Sequence, residues 1–280
     1  MCEGLNLLRD SDLKGYFSYI HQYFYPMYKI LLFLLLCFSS VAYARPITVK
    51  DSLLVEIQKS TNDTNKVHLY DTLVCNYLEN ADDRIIYATE MLQLSAMLNY
   101  NEGAARAQKL LGIAYSKKRH HNQSLEYFDG AIELFEKAND KDNVASTMVD
   151  IGMEYCYEKK YGRAIDTLTH AAQIALKAGD SSGFMLAIYW TGNAYLGKKK
   201  YEEAVDRYFV VQNFNERKAN KRGQAVMSIQ LAVAFIRQKK FAEAKQFAAQ
   251  GLALAKEVSY VEGIAIANRC LKRLKKKHYE

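Results

Sequence analysis

Apolar residues in the middle of the chain recur at steps of three and four positions, in stretches separated by short polar breaks. One stretch carries Ala187 and Thr191, the next carries Ala204 and Tyr208, and the polar residues 197–200 separate the two. A three- to four-residue step places these side chains on one face of a helix. The pattern therefore predicts two helices joined by a tight turn.

The same pattern returns every forty residues without gaps. The recurring sets are Gly112, Gly152, Gly192 and Ala232; Tyr115, Tyr155, Tyr195 and Phe235; His121, Tyr161, Tyr201 and Phe241; and Ser124, Ala164, Ala204 and Ala244. We call the first set the glycine stations. A fixed period of this size is typical of stacked repeats, because one hairpin has two apolar faces and cannot bury both alone.

Composition favours helix throughout the repeats. The two prolines, Pro26 and Pro46, both lie near the N-terminus, so no later residue lacks the backbone donor that a helix needs. The formal net charge of +7 belongs to the chain after residue 44, since residues 1–44 carry three basic and three acidic side chains. A final basic cluster lies at 272–277, and we interpret it as a solvated tail.

These residues resemble the tetratricopeptide repeat family. The motifs that carry the resemblance are Leu111-Gly112-Ile113-Ala114-Tyr115, Ile151-Gly152-Met153-Glu154-Tyr155, Thr191-Gly192-Asn193-Ala194-Tyr195, Tyr161-Gly162-Arg163-Ala164, Tyr201-Glu202-Glu203-Ala204 and Phe241-Ala242-Glu243-Ala244. The resemblance implies an all-α fold: a right-handed superhelical array of antiparallel helix hairpins, an α-solenoid, with about five hairpins plus a C-terminal helix. The forty-residue period exceeds the family's usual length of about 34, which predicts helices longer by about one turn.

The chain divides by pattern into five segments. Residues 66–262 hold the repeats, beginning with a degenerate hairpin at 69–98. Residues 45–65 form a leading segment with a short helix around Ser52–Lys59, and 263–280 form a C-terminal capping helix and basic tail. Residues 27–44 read as a secretory signal peptide: a short basic start, an apolar run and the site Ala42-Tyr43-Ala44. An uncleaved membrane anchor is the alternative.

Residues 1–26 fit a leader poorly, because acids and tyrosines there precede the apolar run. We expect translation to start at Met27, which makes 1–26 a doubtful upstream extension. Export places the repeats outside the cytoplasm, most simply in the periplasm. Cys75, Cys156 and Cys270 then remain, an odd number far apart, so no disulfide framework is implied.

The sequence contains no motif that indicates catalysis, a cofactor or a metal. HExxH, GxSxG, phosphate-binding glycine loops and cysteine–histidine zinc spacings are all missing. His120 and His121 are the only adjacent histidines, and neighbouring residues point to different sides of a helix, which makes a poor metal site. We expect neither an enzyme nor a cofactor.

The family resemblance implies that a partner lies along the concave wall built from the first helix of each hairpin. Counted from the glycine stations, the wall positions are Lys109, Ile113, Ser116 and Lys117; Val149, Met153, Cys156 and Tyr157; Tyr189, Asn193, Leu196 and Gly197; and Ile229, Val233, Ile236 and Arg237. Eleven of them are candidate partner-binding residues: Lys109, Ile113, Lys117, Val149, Met153, Tyr157, Tyr189, Asn193, Ile229, Val233 and Arg237. An exposed apolar strip usually marks a partner surface. Alternatively, the superhelix closes on itself and buries the strip.

Two functions compete. The first is a non-enzymatic scaffold of the bacterial cell envelope that binds a protein or peptide, with homodimerisation also plausible. The second comes from a narrower resemblance to the exported sensory arrays of bacterial membrane regulators, and makes the chain the sensory portion of a split or truncated kinase or DNA-binding regulator. Export disfavours nucleic acid as a partner, and a membrane contact is expected only through an uncleaved signal.

Overall fold

The computed structural model describes residues 48–276, which contain twelve α-helices. They are α1 (Val49–Lys59), α2 (Thr64–Asn76), α3 (Ala81–Met97), α4 (Asn101–Lys117), α5 (His121–Lys137), α6 (Lys141–Tyr157), α7 (Tyr161–Ala178), α8 (Ser181–Gly197), α9 (Tyr201–Arg217), α10 (Lys221–Gln238), α11 (Phe241–Glu257) and α12 (Val261–Lys276). The expected upstream extension, the signal peptide at 27–44 and the last four residues of the tail lie outside the described residues. Within the described part of the chain, no helix is long and apolar enough to cross a bilayer.

The chain divides into two compact units, residues 1–52 and 53–280. Of the first, the structure describes Thr48 to Ser52, where a reciprocal cap begins α1. The Thr48 N–H donates to Asp51 Oδ2 at 3.0 Å, and the Asp51 N–H donates to Thr48 Oγ1 at 3.2 Å. Two backbone donors that have no partner inside the helix are satisfied in this way.

The second unit is a series of helical hairpins. From α2 to α11, consecutive helices pack in pairs to give five hairpins, and α12 packs on α11 and α10. The predicted all-α array, with about five hairpins and a C-terminal helix, is confirmed. Each of α4, α6, α8 and α10 is the first helix of its hairpin and carries a glycine station.

A small residue at the glycine station lets the two helices of a hairpin approach closely. A Cβ placed on Gly112 would lie 2.5 Å from Phe128, and one on Gly192 would lie 2.7 Å from Tyr208. Phe128 and Tyr208 are fully buried large side chains of the second helices. Packing of large against small therefore explains why glycine recurs at forty-residue spacing.

The turns repeat at half the period. Nine residues have left-handed backbone conformations at intervals of twenty: Asn99, Arg119, Asn139, Lys159, Gly179, Lys199, Ala219, Lys239 and Ser259. After each one, the next N–H donates to the carbonyl five residues back, at 2.8–3.0 Å. This hydrogen bond closes a Schellman motif, which satisfies the last carbonyls of the helix. Most helices from α3 onward are seventeen residues long, so each period is two helices and two three-residue turns.

The turn geometry predicts opposite effects of glycine and alanine at equivalent turns. Ala219 has φ of 51° and Gly179 has φ of 81°. A side chain is strained there, so Ala219→Gly should stabilise the fold by about 0.5–1 kcal/mol and Gly179→Ala should destabilise it by about 1 kcal/mol. Urea unfolding of both variants measures the two changes. A loss of stability in Ala219→Gly would contradict the assigned turn.

Candidate functional site

The first helices α4, α6, α8 and α10 carry all eleven predicted binding residues, but with different exposure. Exposed side chains belong to Lys117, Tyr157 and Arg237, and half-buried ones to Lys109, Ile113, Met153, Tyr189, Asn193 and Val233. We call the surface of these nine residues the first-helix face. The two remaining residues, Val149 and Ile229, are only 2% and 4% exposed and belong to the core.

Packing against the second helix explains why two of the eleven are buried. Ile229 fills the space that Gly251 leaves in α11, since a Cβ on Gly251 would lie 2.8 Å from Ile229 Cγ1. Val149 lies in the core cluster that also contains Leu168 of α7. Neither side chain offers contact area to a ligand, so we leave both out of the first-helix face.

A buried carboxylate links three helices beside this face. The Glu154 side chain in α6 is 1% exposed and lies 2.7 Å, through Oε2, from His121 Nδ1 in α5. The Ser116 hydroxyl of α4 donates to its other oxygen. Neither Glu154 nor His121 was among the predicted site residues. The signal was present, because the other three repeats have alanine in place of Glu154 and an aromatic residue in place of His121.

A second polar contact joins α4 to α6. Lys109 Nζ donates to Ser146 Oγ at 2.6 Å and lies 3.6 Å from Asp150 Oδ2. Burial raises the pKa of Asp150 to about 6, although the Lys109 ammonium opposes the rise. The Asp150 side chain is 23% exposed, so part of its charge is still solvated. Lys109 therefore has bound partners in the free chain, and a ligand must compete with them.

The raised pKa of Asp150 predicts how its replacement alters stability with pH. The unfolded chain loses this proton at lower pH than the folded chain, so the Asp150 contribution to stability declines as pH rises towards about 6. Asp150→Asn removes this pH-dependent contribution to the free energy of unfolding. Relative to wild type, the variant should gain up to about 2 kcal/mol between pH 4 and pH 7.5, allowing for solvent screening. Urea unfolding of both proteins at the two pH values checks this, and a pH-independent difference would contradict it.

Aromatic side chains form the middle of the first-helix face. Tyr157 of α6 and Trp190 of α8 meet edge to face, with ring centroids 6.1 Å apart, and Tyr189 lies 5.5 Å from Trp190. Tyr157 is 53% exposed. The Tyr189 hydroxyl accepts a hydrogen bond from Gln230 of α10 at 3.3 Å. Sequence reasoning missed Trp190, although it is the only tryptophan in the chain and directly follows Tyr189.

Cavities continue the face towards the C-terminus. One of about 310 Å³ lies between α8 and α10, against Tyr189, Arg222 and Met227. Another of about 140 Å³ lies between α10 and α12 and includes the predicted residues Val233 and Arg237. A larger cavity of about 500 Å³ lies where α7 and α9 end and α8 begins, and none of the eleven predicted residues lines it. We base the site on the aromatic and charged side chains rather than on cavity size.

The chemistry of the described side chains suits binding. In residues 48–276, no three His, Cys, Asp or Glu side chains converge as metal ligands. Cys156 directly precedes Tyr157 in α6, and burial raises the pKa of its thiol to about 11, which disfavours the reactive thiolate. Asn193 is partly occupied as well, because its Oδ1 accepts from the Tyr208 hydroxyl at 2.7 Å.

Comparisons with known proteins agree with this architecture. Residues 103–177 match the family model described as Tetratricopeptide repeat. No curated protein sequence matches the chain. The sequence identities to the solved structures described next are low, so the similarity shows a shared fold and not a shared activity.

Three solved structures are similar to the chain. The signal transduction ATPase with numerous domains from Pyrococcus horikoshii, which has a tetratricopeptide repeat sensor, aligns with TM-score 0.67 and 18% identity over 81% of this chain and 35% of that one. Aspartyl phosphate phosphatase F from Bacillus subtilis aligns with TM-score 0.66 and 15% identity over 95% and 70%. A Rap protein complexed with competence and sporulation factor aligns with TM-score 0.57 and 14% identity over 81% and 71%.

Proposed function

We propose that this chain is a non-enzymatic scaffold that binds a protein or peptide through its first-helix face. The observation that carries the proposal is the aromatic cluster of Tyr157, Tyr189 and Trp190, partly open to solvent on α6 and α8. Tyrosine and tryptophan dominate binding energy at protein interfaces, because they bury a large area at little cost in side-chain entropy. An aromatic cluster that stays partly open to solvent usually marks a partner surface.

A charged pair and a cavity lie near the aromatic cluster, and both offer contacts to a partner. The Lys109–Asp150 ion pair joins α4 to α6, the helix that carries Tyr157, and Tyr189 itself lines the cavity between α8 and α10. An apolar anchor flanked by polar groups is the usual arrangement for a segment that crosses several repeats. The structure of a Rap protein complexed with competence and sporulation factor supplies a precedent in a similar fold.

The proposed location is the bacterial cell envelope, outside the cytoplasm. The support is the sequence of residues 27–44, with its basic start, apolar run and Ala42-Tyr43-Ala44 site. We expect the mature protein to begin at Arg45, or to stay attached to the membrane by the uncleaved run. N-terminal sequencing of the secreted or membrane-associated protein distinguishes these outcomes. A protein that stays in the cytoplasm with residue 1 intact would refute the proposed location.

A sensory role within a split regulator is the second candidate. It is favoured by the similarity to a signal transduction ATPase whose structure carries a tetratricopeptide repeat sensor. The two candidates differ in the identity of the partner. A neighbouring reading frame with a membrane span and a kinase or DNA-binding domain, whose product binds this chain, would favour the sensor.

Photo-crosslinking at matched positions tests the binding surface. A photoreactive residue replaces Tyr157, on the first-helix face, or His170, an exposed residue of the second helix α7. The proposal predicts one dominant partner adduct at position 157 in intact cells, and none at 170. Equal adducts at both positions would show that the face is not selective. Adducts of the chain with itself alone would point to a homodimer.

A further inference from the structure

The cavity between α10 and α12 combines an apolar floor with a basic rim. Ile236 of α10 and Ile266 and Cys270 of α12 form the floor, while Arg237, Arg269 and Arg273 surround it. We call this site the arginine groove. Its volume of about 140 Å³ equals that of roughly four or five water molecules, which is enough for one aliphatic side chain.

The three arginines have no carboxylate partner in residues 48–276. Elsewhere in this part of the chain, Arg106 pairs with Asp71 and Glu102, Arg222 lies 4.7 Å from the Tyr260 ring centroid, and Arg84 and Arg217 donate to backbone carbonyls. A guanidinium keeps its charge at any physiological pH. Three like charges around an apolar floor repel one another, and a ligand that brings carboxylates removes that repulsion.

We propose that the arginine groove binds an acidic peptide segment of the partner, with one aliphatic side chain on the floor and carboxylates paired with the arginines. This inference rests on the proposed scaffold function and names the chemistry of its partner. The planar guanidinium can donate two parallel hydrogen bonds to a carboxylate, which sets direction as well as charge. The groove adjoins Val233 and Arg237 of the first-helix face, so one segment can reach both.

The apolar floor between the charges argues for a peptide rather than an anionic membrane. A lipid surface attracts exposed basic side chains wherever they lie. Lys272 and Lys275 are also exposed on α12 but do not line the groove. Only an occupant with a shaped apolar anchor distinguishes the arginines from these lysines. The lysine pair therefore provides a control with the same change of charge.

Fluorescence anisotropy with defined probes tests the proposal on the full chain. The probe is a fluorescein-labelled peptide with a central leucine flanked by glutamates, and its control has glutamine at each glutamate. We expect the acidic probe to bind at least about tenfold tighter than its control and to weaken as salt screens the charges. The double variant Arg269→Glu, Arg273→Glu should bind the acidic probe at least about tenfold more weakly than wild type. The double variant Lys272→Glu, Lys275→Glu should weaken this binding by less than about threefold. Thermal unfolding checks that both variants fold.

Two results would overturn the inference. The first is an equal loss in the lysine and arginine variants, or equal binding of the acidic and neutral probes. The second is binding to phosphatidylserine vesicles that depends on the arginines, together with no detectable binding of the acidic peptide. If the acidic peptide does not bind while crosslinking at position 157 still captures one partner, the scaffold function stands and the proposal of an acidic ligand is wrong.

Discussion

Replacing His121 with phenylalanine should destabilise the fold by about 2–3 kcal/mol. The reason is Glu154, whose side chain is 1% exposed and has Oε2 2.7 Å from His121 Nδ1. Phenylalanine stands at the equivalent position of a later repeat, as Phe241, so its shape is compatible with the turn. It offers no nitrogen, however, and leaves a buried carboxylate with the Ser116 hydroxyl as its remaining side-chain partner.

The matched rescue is to restore both residues to the repeat pattern. The equivalents of Glu154 are Ala114, Ala194 and Ala234. Glu154→Ala combined with His121→Phe should regain at least about 1.5 kcal/mol of the loss, because no buried charge remains. Urea unfolding of the two single variants and the double variant gives the coupling energy. Strictly additive effects would mean that the contact contributes nothing specific.

Gly152→Ala should destabilise the fold by about 2 kcal/mol, because α6 and α7 are in contact where the methyl group would lie. A Cβ on Gly152 would lie 2.6 Å from Leu168 Cδ2, and Leu168 is fully buried. The two helices must separate or Leu168 must leave its position. Either change disturbs the small-against-large contact that holds α6 and α7 together.

A cycle with Leu168 and a control glycine makes this prediction specific. Leu168→Ala alone should cost about 2–5 kcal/mol through the cavity it leaves. In the double variant the two methyl groups fit together, so the loss should be smaller than the sum by about 1–2 kcal/mol. Gly162→Ala is the control, since nothing lies within 4 Å of its added Cβ, and it should be neutral or stabilising by about 0.5–1 kcal/mol. A similar loss at Gly162 would show that crowding against Leu168 is not the cause.

The forty-residue register predicted most of the fold, because each station performs the same packing task in each hairpin. The left-handed turns every twenty residues were not predicted. Glycine occupies one of the nine positions, Gly179, and asparagine, which tolerates this conformation, occupies two, Asn99 and Asn139. The other six, such as Lys199 and Ala219, have side chains that usually avoid it. The turn is imposed by the helices on both sides, which pack strongly enough to offset the strain.

Periodicity predicted which helix carries each candidate residue but not how deeply each side chain is buried. Periodicity placed Tyr157, Tyr189 and Arg237 on the first helices correctly. It could not foresee that Ile229 points at Gly251, because that depends on a contact between helices. The sequence hinted at the pairing of Glu154 with His121, because each differs from its equivalents in the other repeats and the two lie in consecutive helices, α6 and α5. Two residues that both differ from the repeat pattern can indicate a specific contact, which an analysis of the shared pattern overlooks.

Hydroxyl-radical footprinting of the chain, with and without its crosslinked partner, tests the central claim most directly. The account predicts that the partner protects Met153 and Tyr157 of the first-helix face, together with Trp190, which packs against Tyr157. It leaves unprotected Met97 of α3 and Leu176 of α7, which are 74% and 64% exposed. Protection of Met97 and Leu176, with oxidation of Tyr157 and Trp190 unchanged, would contradict it.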